Sequence, residues 1–176
     1  MKKEIIQAMK IKIESYNNSW PHLFEELKYK IRCKLKKYDI AIEHIGSTSV
    51  KNLASKPIID ILIGISSEEL DNYIEPIIDL GFTYIKKYEK DNPNRRFFFL
   101  IENKKRIAHI HLVNINSRWF KRHMAFRNEL RSNKIIREKY ENLKYKLVKK
   151  EWKDGNDYAD AKTEFIRAIE KNLGFN

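Results

Sequence analysis

Residues 42–50 read IEHIGSTSV and residues 56–65 read KPIIDILIGI, and the fold of the chain turns on these two neighbouring stretches. Gly46-Ser47 closes one apolar strand, and Asp60 sits inside the next. Glycine lets a backbone come close to a bulky anion, while a serine and a turn's free N–H groups hold phosphate oxygens. A carboxylate opposite such a turn can carry the divalent ion that phosphates bring with them. Strand parity sharpens the point. Ile59, Ile61, Ile63 and Ile65 share one face, an unbroken core surface, whereas Ile58, Asp60, Leu62 and Gly64 share the other. An acid in so apolar a strand is costly to bury alone. A backbone cap or an arginine would satisfy it, and so would a ligand site beside the turn.

Outward from this pair, the patterning predicts strands over 40–45 and 58–65 and three more strand-like runs at 82–87, 95–102 and 107–113. Asn103-Lys104-Lys105 suits a hairpin turn between the last two. Upstream, residues 3–9 suit a short helix and 10–16 a strand. Pro21 is a good first-turn residue for a helix carrying Leu23, Leu27, Ile31 and Leu35. Ser66 or Ser67 is expected to cap a helix with Leu70, Tyr73, Ile74, Ile77 and Ile78 on one face, ended by Gly81. Everything after Ser117 reads as helix, three in number, with Gly155 near the last break. Strands first and helices last predict an α+β domain with a helical cap. With no repeat, linker or low-complexity tract, 1–176 reads as a single domain, about 1–115 core and about 117–176 cap.

Several other residues could carry chemistry. His109 and His111 lie two apart in a strand, so both imidazoles leave by one face and can share a metal or supply a general base; paired surface histidines are the plainer reading. Arg95 and Arg96 open the preceding strand and suit either phosphate contacts or a solubilised edge. His123 and Arg127 are i,i+4 neighbours on an otherwise apolar stripe, where a guanidinium must find an anion or carbonyls. Tyr158 and Lys162 share the face of Phe165 and Ile169 and raise the same question.

Composition narrows the classes. One cysteine, Cys33, excludes an internal disulfide and a cysteine-based zinc cluster. The first residues lack the apolar stretch of a secretion signal, and no run approaches the ~18–20 apolar residues of a membrane span, so the cytoplasm is the expected compartment and no membrane is expected as a partner. The formal charge is +12, and residues 117–150 hold twelve Lys/Arg against three Glu. Such a face attracts nucleic acid, nucleotides or acidic proteins, although a solvated helix surface would look the same.

The stretches YNNSWPHLFEEL, IEHIGSTSV, KPIIDILI, RRFFFL, HIHLV, HMAFRNELR and YADAKTEF occur in an order that resembles the GrpB-like proteins, also called the UPF0157 family, over nearly the whole chain. That resemblance implies membership of the nucleotidyltransferase superfamily, the fold of DNA polymerase β: a mixed sheet with helices and, here, the helical cap. The family also occurs in bacteria fused behind dephospho-CoA kinase. The superfamily pattern is an hG[GS] turn, then a strand with [DE]h[DE], then a carboxylate from a later strand. The acids hold two Mg²⁺ ions that clamp the triphosphate and activate an acceptor hydroxyl.

Gly46-Ser47 matches the turn and Asp60 the first acid, but Leu62 occupies the second acid position, and His109 and His111 stand where the later carboxylate belongs. Glu43, just before the turn, would compensate if its parity matched that of Asp60. One Asp with imidazoles suits a single softer ion, Mn²⁺ or Zn²⁺, better than paired Mg²⁺. The resemblance therefore implies Asp60, His109 and His111 as metal ligands, and Asp60, His111 and Glu43 as catalytic residues. Gly46, Ser47, Thr48, Lys56, Arg96, His123, Arg127, Tyr158 and Lys162 would be the nucleotide- or phosphate-binding set. Two functions stay open: a metal-dependent transferase acting on an NTP and an unspecified acceptor, or a degenerate fold that binds a nucleotide, a coenzyme A precursor or RNA without turnover. RNA association through the basic helices alone is a third.

Overall fold

A computed structural model describes residues 9–67 and 69–175. Strands β1 (Met9–Lys10), β2 (Ile40–Ile45), β3 (Ile59–Ile65), β4 (Thr83–Tyr84), β5 (Arg95–Glu102), β6 (Lys105–Asn114) and β7 (Glu151–Trp152) alternate with helices α1 (Ser19–Lys34), α2 (Ile74–Ile78), α3 (Arg118–Ser132), α4 (Lys134–Leu147), α5 (Gly155–Asp160) and α6 (Thr163–Asn172). Five strands form a mixed sheet in the order β2-β3-β6-β5-β4, with β3 and β6 parallel and the other neighbours antiparallel.

The isoleucine face of β3 dictates the main core. Ile59, Ile61, Ile63 and Ile65 are each fully buried, and they pack with Ile110 and Leu112 of β6 beneath Phe24, Leu27 and Ile31 of α1. Burying each such side chain is worth about 1.5–3 kcal/mol before chain entropy is counted. The opposite face carries Ala41, Glu43 and Ile45 of β2, Asp60, Leu62 and Gly64 of β3, His109, His111 and Val113 of β6, and Arg95 and Phe97 of β5. Helix α3 lies against it. A methyl group on Gly64 would meet the Phe120 ring at 2.5 Å, so glycine there lets the helix settle onto the strand.

Local chemistry explains where the elements begin and end. Ser117 caps α3 by accepting from the Phe120 amide at 3.1 Å, and Asn133 caps α4 by accepting from Ile136 at 3.2 Å. The hairpin between β5 and β6 turns on Asn103 and Lys104, both at positive φ (49° and 62°), as a two-residue primed turn requires.

Other expectations need correction. The predicted helix after Ser66 winds as a 3₁₀ turn over Leu70–Tyr73 and is α-helical only over Ile74–Ile78, because Pro76 has no N–H to give the Asn72 carbonyl. Ser67 accepts from Glu69 rather than capping a longer helix, and Ile78 is 37% exposed rather than on the buried face. Among the described residues the cap holds four helices, not three, with β7 between α4 and α5. β7 pairs with β1, and Ile11 packs with Leu147 and Tyr158, so the start of the described chain is tied to the cap. The expected strand over 10–16 reduces to Lys10 and a lone bridge from Glu14 to Ser55; the helix expected over 3–9 lies, except for Met9, outside the described residues.

Candidate functional site

The turn after β2 closes onto Asp60. Gly46 has φ +69°, and a methyl group on it would lie 2.3 Å from Asp60 Oδ2. Only glycine brings the backbone this near the carboxylate. Residues Ser47–Ser49 then make one 3₁₀ turn, with Ser49 Oγ donating to the Gly46 carbonyl at 2.7 Å.

Asp60 is joined from the neighbouring strand by His109, whose Nδ1 lies 3.0 Å from Oδ1. Asp60, His109 and His111 each offer a donor atom, and these atoms lie within 4.8 Å of one another. His109 Nε2 and His111 Nδ1 are buried without a hydrogen-bond partner. Burial alone would raise the Asp60 pKa, but the His109 hydrogen bond and the fields of His109, His111 and Lys56 outweigh it and hold the carboxylate below its usual range. Burial pushes His111 well below the ordinary histidine value, so its ring is neutral at physiological pH. One carboxylate and two imidazoles, one of them held neutral, with two orphaned ring nitrogens, fit a single borderline divalent ion better than a pair of Mg²⁺ ions.

Around this cluster runs an aromatic wall: Phe97 against His109 and His111, Trp119 stacked on His111 at 5.2 Å, and His123 stacked on Trp119 at 3.4 Å. His123 Nδ1 donates to the Trp119 carbonyl at 2.7 Å, and burial lowers its pKa to about 4. Its ring is thus neutral. A cavity of about 190 Å³ brings together six of the sequence candidates: Gly46, Ser47, Asp60, His111, His123 and Arg127.

Three lysines lie near Asp60 or the turn. Lys56 and Lys162 hold their ammonium groups 5.0 and 4.3 Å from the Tyr158 ring centre, and both act electrostatically on Asp60. Lys144 is buried and donates to Ser47 Oγ at 3.2 Å and to the Ala54 carbonyl. Burial, then mutual repulsion, lowers Lys144 to about 7 and Lys162 to about 8. Lys162 lowers Lys144 and Lys56 lowers Lys162, so the three amines stand close enough to repel one another.

Other candidates lie apart from the cavity or are already engaged. Glu43 shares the face of Asp60, as its pairing with Leu62 requires, but its carboxylate accepts from Arg127 at 2.7 Å and lies outside the Asp60 cluster. Arg127 also donates to the His44 carbonyl at 3.1 Å. Thr48 points inward: its hydroxyl donates to the Ile58 carbonyl and bonds His44 Nε2. Arg96 pairs with Leu112, so it lies on the opposite face, bound to Asp71 and Glu89. Arg95 takes the site face in its place, its guanidinium 5.7 Å from the Phe97 and Trp119 rings. Tyr158 offers its ring to the two lysines while its hydroxyl is buried. Sequence reasoning missed Lys144, although its i+4 spacing from Tyr140 set a lysine in an apolar stripe.

This sheet, with its Gly-Ser turn beside a strand-borne aspartate, is the polymerase β-type nucleotidyltransferase fold. Cid1, solved in complex with the UTP analogue UMPNPP, superposes with a TM-score of 0.51 at 12% identity, over 77% of this chain and 41% of that one. The chain belongs to the GrpB family: the family profile, described as GrpB protein, matches residues 10–172. The crystal structure of the conserved protein GrpB from Enterococcus faecalis matches with a TM-score of 0.77 and 35% identity, covering 92% of this chain and 96% of that one. Among curated relatives, the UPF0157 protein YqkA of Bacillus subtilis is 36% identical over 93% of this chain, which spans only 47% of that protein's length. The UPF0157 protein SCO7215 of Streptomyces coelicolor is 33% identical over 96% of this chain and 87% of its own length. Among the described residues no helix is long and apolar enough to cross a membrane.

Proposed function

We propose that the protein is a cytoplasmic nucleotidyltransferase that uses one divalent ion and moves a nucleotidyl group from an NTP to an acceptor. The observation that carries this reading is the direct approach of the Gly46 turn to Asp60, with His109 and His111 donor atoms within 4.8 Å. Asp60 and one of His109 and His111 would hold the ion, with Mn²⁺ or Zn²⁺ better suited than Mg²⁺. When bound, it supplies charge to the reacting phosphate oxygens and lowers the pKa of an oxygen nucleophile. Ser47 Oγ and the turn amides take the β- and γ-phosphate oxygens. Lys144, Lys162 and Lys56 neutralise the triphosphate as it enters, and their own repulsion is relieved by it. Whichever of the two histidines does not ligate the ion takes the acceptor's proton; His111 is held neutral by burial and fixed by the Phe97 and Trp119 rings. Arg127 ties α3 to the strand before the turn, which keeps the two halves of the site at a fixed separation.

The test is pyrophosphate release from an NTP in the presence of Mn²⁺ or Zn²⁺. Asp60→Ala is expected to abolish release while its melting temperature stays close to that of the wild type; undiminished release by the variant removes the proposal.

One observation favours binding without turnover. Leu62, at the second acid position, is fully buried against Ile45, Val113 and Phe120, so that part of the site is apolar core. On that reading nucleotides or coenzyme A precursors raise the melting temperature and no pyrophosphate appears with any divalent ion.

A further inference from the structure

A second cavity, of about 550 Å³, opens where α3 meets α6, lined by Arg118, Trp119, Arg122, Arg167, Lys171 and Phe175. Four of these six residues are cations, arranged as two i,i+4 pairs: Arg118 and Arg122 on α3, and Arg167 and Lys171 on α6. Like charges at that spacing destabilise a helix, and here two such pairs also share one cleft. A merely solvated surface has no need to concentrate them so.

One carboxylate partly offsets the charge. Glu170, 1% exposed, accepts from Arg122 at 3.2 Å and from Arg167 at 2.7 Å. That holds both guanidinium groups in place while leaving the cleft with an excess of positive charge. Arg118 and Lys171 make no ion pair among the described residues. Trp119 and Phe175 add aromatic faces to the lining. Cations beside aromatic faces are the chemistry that takes a nucleoside phosphate, with phosphate on the cations and base on the ring.

The cleft also shares a wall with the Asp60 cavity. Trp119 lines the cleft and stacks on both His111 and His123, which line the cavity; Glu170 lines the cavity while its partner Arg122 lines the cleft. A ligand lodged in the cleft would therefore lie next to the Asp60 cavity, with the Trp119 ring between them.

We infer that this cleft binds a nucleoside phosphate, either a free mononucleotide or the end of an RNA strand, and that it is the acceptor's subsite. The acceptor role rests on reading the Asp60 cavity as a nucleotidyl-transfer centre; the binding does not. The test is fluorescence anisotropy with a fluorescein-labelled six-nucleotide RNA, with AMP as competitor. The proteins are the wild type, the double reversal Arg118→Glu with Lys171→Glu, and Asp60→Ala. Both reversed residues are exposed, and a melting curve checks that the variant is folded.

The expected result is RNA or AMP binding that the double reversal weakens at least tenfold and Asp60→Ala leaves within about twofold. Each neutralised phosphate contact should also carry a salt dependence of about −0.7 in the logarithmic slope, which the reversal reduces. Displacement of the RNA by AMP identifies a mononucleotide site, and RNA binding that AMP does not displace identifies a strand site; each supports the inference. Wild-type protein that binds neither probe overturns it, as does a double reversal that binds like wild type. Equal loss in Asp60→Ala would put the ligand in the first cavity and also overturn it. Absence of pyrophosphate release together with intact cleft binding would remove the transferase reading and leave the cleft standing.

Discussion

A methyl group on Gly46 would have to share space with Asp60 Oδ2, at 2.3 Å, on a backbone whose φ of +69° side chains resist. Gly46→Ala is therefore expected to lose about 1–3 kcal/mol of stability in urea denaturation and to lose nucleotide binding with it; an unchanged midpoint would contradict the tight approach. Lys144 gives a pH prediction whose sign follows from its burial. Free Lys144 and Lys162 lose their protons near 7 and 8, and a bound polyphosphate favours the ammonium forms, so binding takes up protons in that window. Phosphate is already ionised there, its second pKa being about 6. ATP affinity should thus be greatest at about pH 7 and fall as pH rises to about 8.5, by up to about tenfold per unit for each proton taken up. Lys144→Met should flatten the profile in calorimetric titrations, and a flat profile in the wild type would count against the lysines as phosphate ligands.

At the level of elements, the sheet decides which side chains can meet. The parity of β3 was legible, as was that of His109 and His111, because alternation within one strand needs no knowledge of its neighbours. Arg95 and Arg96 were not separable in this way. Glu102 pairs with Lys105 and Ile101 with Arg106, a register that continued unbroken would set Arg96 opposite His111. A register shift between Leu100 and Ile101 instead pairs Leu100 with Ala108, leaves Ile107 as the extra residue, and brings Arg95 to the site face. Lys144 was missed for a related reason: its i+4 place beside Tyr140 sets it apart from the other lysines of KYENLKYKL, but only the packing of α4 under residues 47–54 shows that it is buried. The cap helices hold that loop from several sides, with Arg131 donating to the Ser49 carbonyl and Glu141 accepting from the Ala54 amide. Arg127 does the same for β2. Arg127→Leu should cost about 1–3 kcal/mol in urea denaturation by leaving the His44 carbonyl and Glu43 without their donor. Combined with Glu43→Gln the loss should be less than additive, and strict additivity would mean the pair is not coupled.

For the molecule as a whole, the strand-then-helix order and the basic second half were readable in the chain, and the family match over residues 10–172 agrees with the resemblance carried by its motifs. What the chain alone could not give was adjacency: that α3 and α6 lie together to gather four cations, and that Trp119 separates them from the Asp60 cluster. The proposed function requires the Gly46-Ser47 turn and Asp60 to form one site for a metal-bound nucleotide. Titration calorimetry of ATP into the protein, with and without Mn²⁺, on the wild type and on Asp60→Asn, tests it most directly. ATP binding is expected to strengthen with Mn²⁺, and that strengthening is expected to be lost, at least tenfold, in Asp60→Asn. ATP binding indifferent to Mn²⁺, or equally strengthened in the variant, would contradict it.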